Sequence, residues 1–421
     1  MKNKNLAGIA GMAIILLFAT TLAFAQSQAV PTSGPAENGS PAWFLQGSFH
    51  DPEGSAIVSA DGTVTVVPKA PRKQATVIES VPNCSHSPVC GNNMSNGVVG
   101  PQQDEDDHSQ RVEWKQTMGY TYTYSYAAPT GPGGMPAVAL DSKGNLWAFK
   151  RSPGGTAQLY EYGPDHKLIR TVGEDVIGYQ NKAHGMAIDS HDNVWICDAI
   201  LATVKEISPD GKLLKTIGES GHRGDWIEEK GQHLLWQPVM VAFAPNGDMY
   251  IGEGHANESP NDTDSPDPTN KSGAARILHF DKDGRFINLW YGDNIGPGHF
   301  YNSHGLAIDP TNGDVWIGDR EEFRIVVYTA NGQFKKTFSM RNLVCALHFD
   351  NEGNPWMGSG QDGQFLKLTR DGKVIGAVGN GMGIGPGHFI EASYFVFDKH
   401  DNIYAGDTSV GRITEMVAPK K

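Results

Sequence analysis

His184–Gly218, HGMAIDSHDNVWICDAILATVKEISPDGKLLKTIG, decides the fold. Met186–Asp189 alternates and runs into a turn at Ser190–Asn193. Val194–Cys197 is apolar and closed by Asp198. Thr203–Ile207 alternates again, Pro209-Asp210-Gly211 reverses the chain, and Leu213–Ile217 is a fourth run ended by Gly218. Four short runs separated by turn residues predict a four-stranded antiparallel meander. One such sheet cannot bury both of its faces, so it has to stack on copies of itself.

Copies run along the rest of the chain. Aligned on the aromatic of the second strand they are PAVALDSKGNLWAF (Pro136–Phe149), HGMAIDSHDNVWIC (His184–Cys197) and VMVAFAPNGDMYIG (Val239–Gly252). HGLAIDPTNGDVWIG (His304–Gly318), CALHFDNEGNPWMG (Cys345–Gly358) and SYFVFDKHDNIYAG (Ser393–Gly406) follow. The shared aromatics are Trp147, Trp195, Tyr250, Trp316, Trp356 and Tyr404, and GPGHF recurs before the fourth and sixth copies (Gly296–Phe300, Gly385–Phe389). This period predicts an all-β, six-bladed β-propeller over 111–421; a solenoid would need capping units that the chain lacks. The last copy shows three strands, ending in Arg412–Val417. The β-rich stretch Arg111–Ala127 is expected to supply its fourth and so close the ring.

The 421 residues carry a formal charge of −13, which argues against a nucleic-acid groove, and the 51 glycines suit a turn-rich β domain. Residues 1–25 read as a cleavable export signal: Lys2 and Lys4, an apolar run Leu6–Leu22, and Ala23-Phe24-Ala25 before the cut. A periplasmic or secreted protein is therefore expected, touching a membrane only through an uncleaved signal. Residues 26–110 form an irregular Pro/Ser/Gly-rich extension and linker, with one hairpin expected in Ala56–Val67. Cys84 and Cys90 in CSHSPVC are expected to form a local disulfide, with a metal site through His86 as the alternative. Cys197 and Cys345 fall on strands of different blades and are not expected to pair.

The first residue of each copy enters the innermost strand and faces the channel: Pro136, His184, Val239, His304, Cys345 and Ser393. Imidazoles from alternate blades thus converge on one axis, where they either hold a divalent metal such as zinc or hydrogen-bond the connectors. His299 and His388 in the repeated GPGHF read as turn residues.

The blades resemble NHL-type repeats. More specifically, HGMAIDSHDNVWICDA, QPVMVAF, SHGLAIDPTNGDVWIGDREEFRI and NIYAGDTSVGRITEM resemble the peptidyl-α-hydroxyglycine α-amidating lyase family. Those enzymes are six-bladed propellers that release a peptide amide and glyoxylate. The resemblance implies zinc held by His184 and His304, and arginines Arg151 and Arg320 holding a substrate carboxylate. An ion pair with the blade-end acids Asp198, Glu253, Asp319 or Asp407 is the structural alternative for the arginines. The family's third zinc histidine falls at Ser393, its calcium-associated aspartate at Tyr394 and its catalytic tyrosine at His255. An Asp/Pro/Asn-rich insertion, Glu258–Lys271, follows His255. His255 then stands as a candidate base or third ligand. Two classes of function are expected: a monomeric lyase-like enzyme for a small carboxylate-bearing or peptide substrate, or a non-catalytic propeller that binds a ligand or protein on its channel face.

Overall fold

A computed structural model describes residues 116–420 apart from 130–133, 152–157, 179–182, 200, 255–274, 293–297, 299, 321, 341 and 409, together with three strands nearer the N-terminus. The export signal, Cys84, Cys90, His255 and the insertion lie outside the described residues. The three N-terminal strands are Val30–Pro35, Ser55–Val58 and Thr63–Val67; the last two pair antiparallel, as expected of Ala56–Val67, and the first adds to the free side of the third. Among the described residues no helix is long and apolar enough to cross a membrane.

The six copies form six four-stranded antiparallel sheets. The innermost strands are Ala137–Leu140, Ala183–Ile188, Pro238–Phe243, Ser303–Ile308, Val344–Phe349 and Ala392–Phe397, in blades 1 to 6. Each packs on the next and the last on the first, which closes the ring. Blade 6 takes its outer strand from Thr121–Ala127, paired antiparallel with Arg412–Val417. Both ends of the propeller are thereby held in one sheet and neither leaves a bare inner edge.

Repeated residues have repeated tasks. Asp189 Oδ1 accepts the backbone N–H groups of His191 (2.8 Å) and Asn193 (2.9 Å). Asp141, Asp350 and Asp398 do the same in their own turns. An aspartate that bonds the backbone ahead of it holds a tight turn without help from the sheet. In two blades the second carboxylate oxygen also takes the indole N–H of the register tryptophan, Trp195 at 3.0 Å and Trp356 at 2.9 Å. The indole body lies between blades, as where Trp356 meets Phe397 edge-on at 5.1 Å. This satisfies its polar edge while its apolar area is buried.

One feature departs from the sequence reading. The inner strand of blade 2 begins at Ala183, not at Met186, so His184 lies inside the strand. Ala183 pairs with Asp198 and Met186 with Ile196, leaving His184 and Gly185 opposite Cys197 alone. That is a β-bulge, and it breaks the alternation on which a sequence reading depends. Blades 3, 4, 5 and 6 carry the same irregularity at Val239, His304, Cys345 and Ser393–Tyr394.

Candidate functional site at the bulged end of the channel

A bulge turns one residue's side chain and carbonyl out of the ladder. Five bulges at the same level turn theirs toward the axis. His184 and His304 meet there with ring centroids 4.5 Å apart, both buried. A glycine follows each histidine because the next blade runs close by. A Cβ on Gly185 would lie 2.4 Å from Met240 Sδ and 2.5 Å from Val239 O, and one on Gly305 3.1 Å from the Ala346 carbonyl carbon.

His184 Nδ1 lies 2.9 Å from Val239 O, and His304 Nδ1 lies 2.7 Å from Cys345 O. Carbonyls only accept, so each Nδ1 carries a proton, and Nε2 is the edge turned away from the anchoring carbonyl. The Tyr394 hydroxyl sits between the rings. It is 2.8 Å from His184 Nδ1, 3.4 Å from His304 Nδ1, 3.0 Å from Val239 O and 2.8 Å from His304 O. Burial, then the neighbouring Cys197 and Cys345 thiols, push the Tyr394 hydroxyl well above its ordinary range against the pull of Arg151 and Arg320, so it keeps its proton.

Beside the histidines lies a second buried group. The Arg320 guanidinium bonds Glu391 Oε1 at 2.9 Å and contacts Cys345 Sγ at 3.4 Å; the thiol is also 3.4 Å from Glu391 Oε1. Arg320 and Glu391 are each 1% exposed. Burial first, then Glu391, drives the Cys345 thiol up despite Arg320, so it stays protonated. Cys197 and Cys345 are both unbridged.

The blade-end acids do other work. Glu253 pairs with Arg276 at 2.5 Å and Asp319 with Arg324 at 2.6 Å. Their remaining oxygens hold the connectors: Glu253 accepts from Trp236 N (2.6 Å), and Asp319 from Tyr301 N and Asn302 N (2.9 Å each). Asp407 holds Ile390 N at 2.7 Å and so places Glu391 next door. In blades 3 and 4 an acid at the end of the second strand thus fixes the loop that enters the bulge, and an arginine of the third strand neutralises it; blades 1 and 5 end that strand in Lys150 and Ser359. Arg320 pairs with Glu391, in the connector that enters blade 6.

The structure brings His184, His304 and Arg320 to one level. Arg151 follows the second strand of blade 1; its Nε donates to Ala183 O at 2.8 Å, one residue from His184, and its charge is felt at Tyr394. His255 lies outside the described residues. Sequence reasoning missed Glu391, because nothing in GHFIEAS marks an acid that reaches back to blade 4. It saw Tyr394 only as a departure. Ser393, where a third histidine was looked for, is buried and its hydroxyl has no hydrogen-bond partner.

Among the described residues no three or more His, Cys, Asp or Glu side chains are gathered as a metal cage. The histidine pair nevertheless fits half of a tetrahedral zinc shell. Each ring is anchored through Nδ1–H on a carbonyl, the arrangement that fixes the tautomer of a ligating histidine.

No known family profile matches the chain. A peptidyl-glycine alpha-amidating monooxygenase from Mus musculus is 29% identical over 281 residues, 58% of this chain and 26% of the relative. A peptidylglycine alpha-amidating monooxygenase from Rattus norvegicus is 24% identical over 69% of this chain and 31% of its own length. A peptidyl-alpha-hydroxyglycine alpha-amidating lyase 1 from Drosophila melanogaster is 25% identical over 66% of this chain and 51% of its own length. The chain therefore spans between about a quarter and a half of the curated relatives it matches. Among solved structures, a gluconolactonase from Xanthomonas campestris overlays with a TM-score of 0.49 at 14% identity, covering 74% of this chain and 99% of that one. A virginiamycin B lyase from Staphylococcus aureus overlays at 0.47 and 12%, covering 70% and 99%. With six closed blades and these relatives in sequence, the chain is an NHL-type propeller related to the amidating lyases.

Proposed function

We propose that the bulged end of the channel is a lyase-like active site for a small carboxylate-bearing substrate of the peptidyl-α-hydroxyglycine kind. The observation that carries the reading is the meeting of His184 and His304 on the axis, each with Nδ1 anchored and its Nε2 edge turned away from the anchor. In this reading the pair would hold zinc with water completing the shell, which leaves His255 as the base. A bound zinc supplies a Lewis acid that polarises the substrate hydroxyl. Arg151 would draw the substrate carboxylate to the mouth, and His255 would take the hydroxyl proton as the carbinol C–N bond breaks, the proton then passing to the leaving amide nitrogen. Arg320 contributes field rather than a clamp, because Glu391 already accepts from its fork.

The same ion pair favours a second reading, a channel that binds a ligand without turning it over. The resemblance led to two arginines facing a carboxylate, and one of them is neutralised from within. Ser393 in place of a third imidazole points the same way.

The test is glyoxylate release from a peptidyl-α-hydroxyglycine by the purified chain with zinc present. Release above the spontaneous rate, abolished by His184→Ala and retained by His191→Ala on an exposed turn of the same blade, is expected. No release with zinc bound would leave the binding reading standing. No release and no zinc would overturn both the metal and the lyase assignment.

A further inference from the structure

Blades of a propeller touch their neighbours, and little ties one to another across the axis. Tyr394 does so here. From blade 6 its hydroxyl reaches imidazoles of blades 2 and 4 and backbone carbonyls of blades 3 and 4, all within 3.4 Å. Its ring also stacks nearly parallel to His304, at 7° and 5.6 Å between centroids, and meets His184 edge-on at 5.7 Å.

We infer that Tyr394 is a positioning residue that sets the tautomer and the aim of both channel histidines. The hydroxyl has one proton and two lone pairs. His304 O at 2.8 Å and Val239 O at 3.0 Å can each only accept, so the single proton is spent between these two carbonyls. The lone pairs are then left for the imidazole N–H groups, so His184 Nδ1–H is shared between Val239 O and the phenol oxygen. Two acceptors on the Nδ1 side of His184, Val239 O and the phenol oxygen, hold the proton at Nδ1. The ring stack limits rotation of His304 about its side-chain bonds. With both Nδ1 edges bound on the tyrosine side, both Nε2 edges face away from it. Neither a buried Phe nor an aspartate at this position would do the same. The first lacks the polar atom, and the second brings a charge among buried carbonyls.

The inference deepens the reading of the pair as ligands, yet its first readout is the metal-free protein, so the two fail separately. The full chain, labelled with 15N-histidine and stripped of metal at about pH 8, is examined by long-range nitrogen–proton correlation, with signals assigned through His184→Gln and His304→Gln. In the wild type both rings are expected neutral with the proton on Nδ1, and the Tyr394 hydroxyl proton is expected to be protected from exchange and to show cross-peaks to both rings. In Tyr394→Phe the His184 pattern moves toward the Nε2–H form, and zinc affinity falls about twofold to tenfold, the range of one neutral hydrogen bond. Wild-type rings protonated on Nε2, a freely exchanging Tyr394 hydroxyl, or unchanged tautomers in a folded Tyr394→Phe would each overturn the inference. The first two hold even if that variant does not fold.

Discussion

The two ends of the channel are built from the same six strands and share almost no chemistry. At the bulged end the axis holds His184, His304, Tyr394 and, beside them, Arg320 with Glu391. At the other end the inner strands pair regularly. They line a cavity of about 360 Å³ with Leu140, Ile188, Phe243, Ile308, Phe349 and Phe395, one from each blade. Tyr394 lies at the boundary and faces both. Regular pairing places every second side chain on the channel, and an unbroken alternation keeps those positions apolar. In blades 2 to 6 a bulge interrupts the alternation once and exposes carbonyls that must be met by donors. Function is read at the interruption.

If that contrast is right, breaking the polar end costs far more than trimming the apolar one. The largest loss is expected from Glu391→Ala, which strands a buried guanidinium. About 3–5 kcal/mol of stability should disappear in urea unfolding, and the double replacement Arg320→Met with Glu391→Leu should recover most of it. Equal losses in the single and double variants would show that the pair is not the cause. Gly185→Ala comes next, at about 1–3 kcal/mol, since its Cβ would enter Met240 and Val239 O. Gly305→Ala, with its nearest atoms at 3.1 Å or beyond, should cost less. A reversal of that order would mean that the bulges relax more freely than their contacts imply. Ile308→Val at the apolar end should cost only about 0.5–1.5 kcal/mol and leave zinc binding untouched.

The smallest effect is a pH dependence at the apolar end. Burial lowers the pKa of His348 below its ordinary value, against its bond from Nδ1 to Phe349 O and the nearby Asp350. A depressed histidine contributes stability that is complete above the unfolded pKa, about 6.5, and is lost as pH falls through the lower folded value. Tm should therefore fall more steeply below about pH 6.5 in the wild type than in His348→Gln. Parallel acid limbs would remove His348 from the account.

What was legible follows the same line. Turn aspartates, register tryptophans and blade period are local signals, and Thr203–Ile207 and Leu213–Ile217 stand where the runs between turns put them. The closing strand was legible because blade 6 lacked one. The bulges were not, since an extra residue in a strand leaves no mark except alternation that starts late, as at Met186. Hence the histidines were placed on the axis by register, whereas the tyrosine that anchors them and the glutamate that neutralises Arg320 were not assigned those tasks. Both act across more than 70 residues of sequence, Glu391 on Arg320 and Tyr394 on His304 and His184. Contacts of that span are set by ring closure, not by neighbours in the chain.

The most direct test of the bulged end as the working end is a crystal of the chain grown with zinc and measured across the zinc absorption edge. The account predicts one anomalous peak on the axis, about 2.0–2.1 Å from Nε2 of both His184 and His304 and on the far side of them from Tyr394. A peak in the apolar cavity or at surface histidines only, or no peak at saturating zinc, would contradict it.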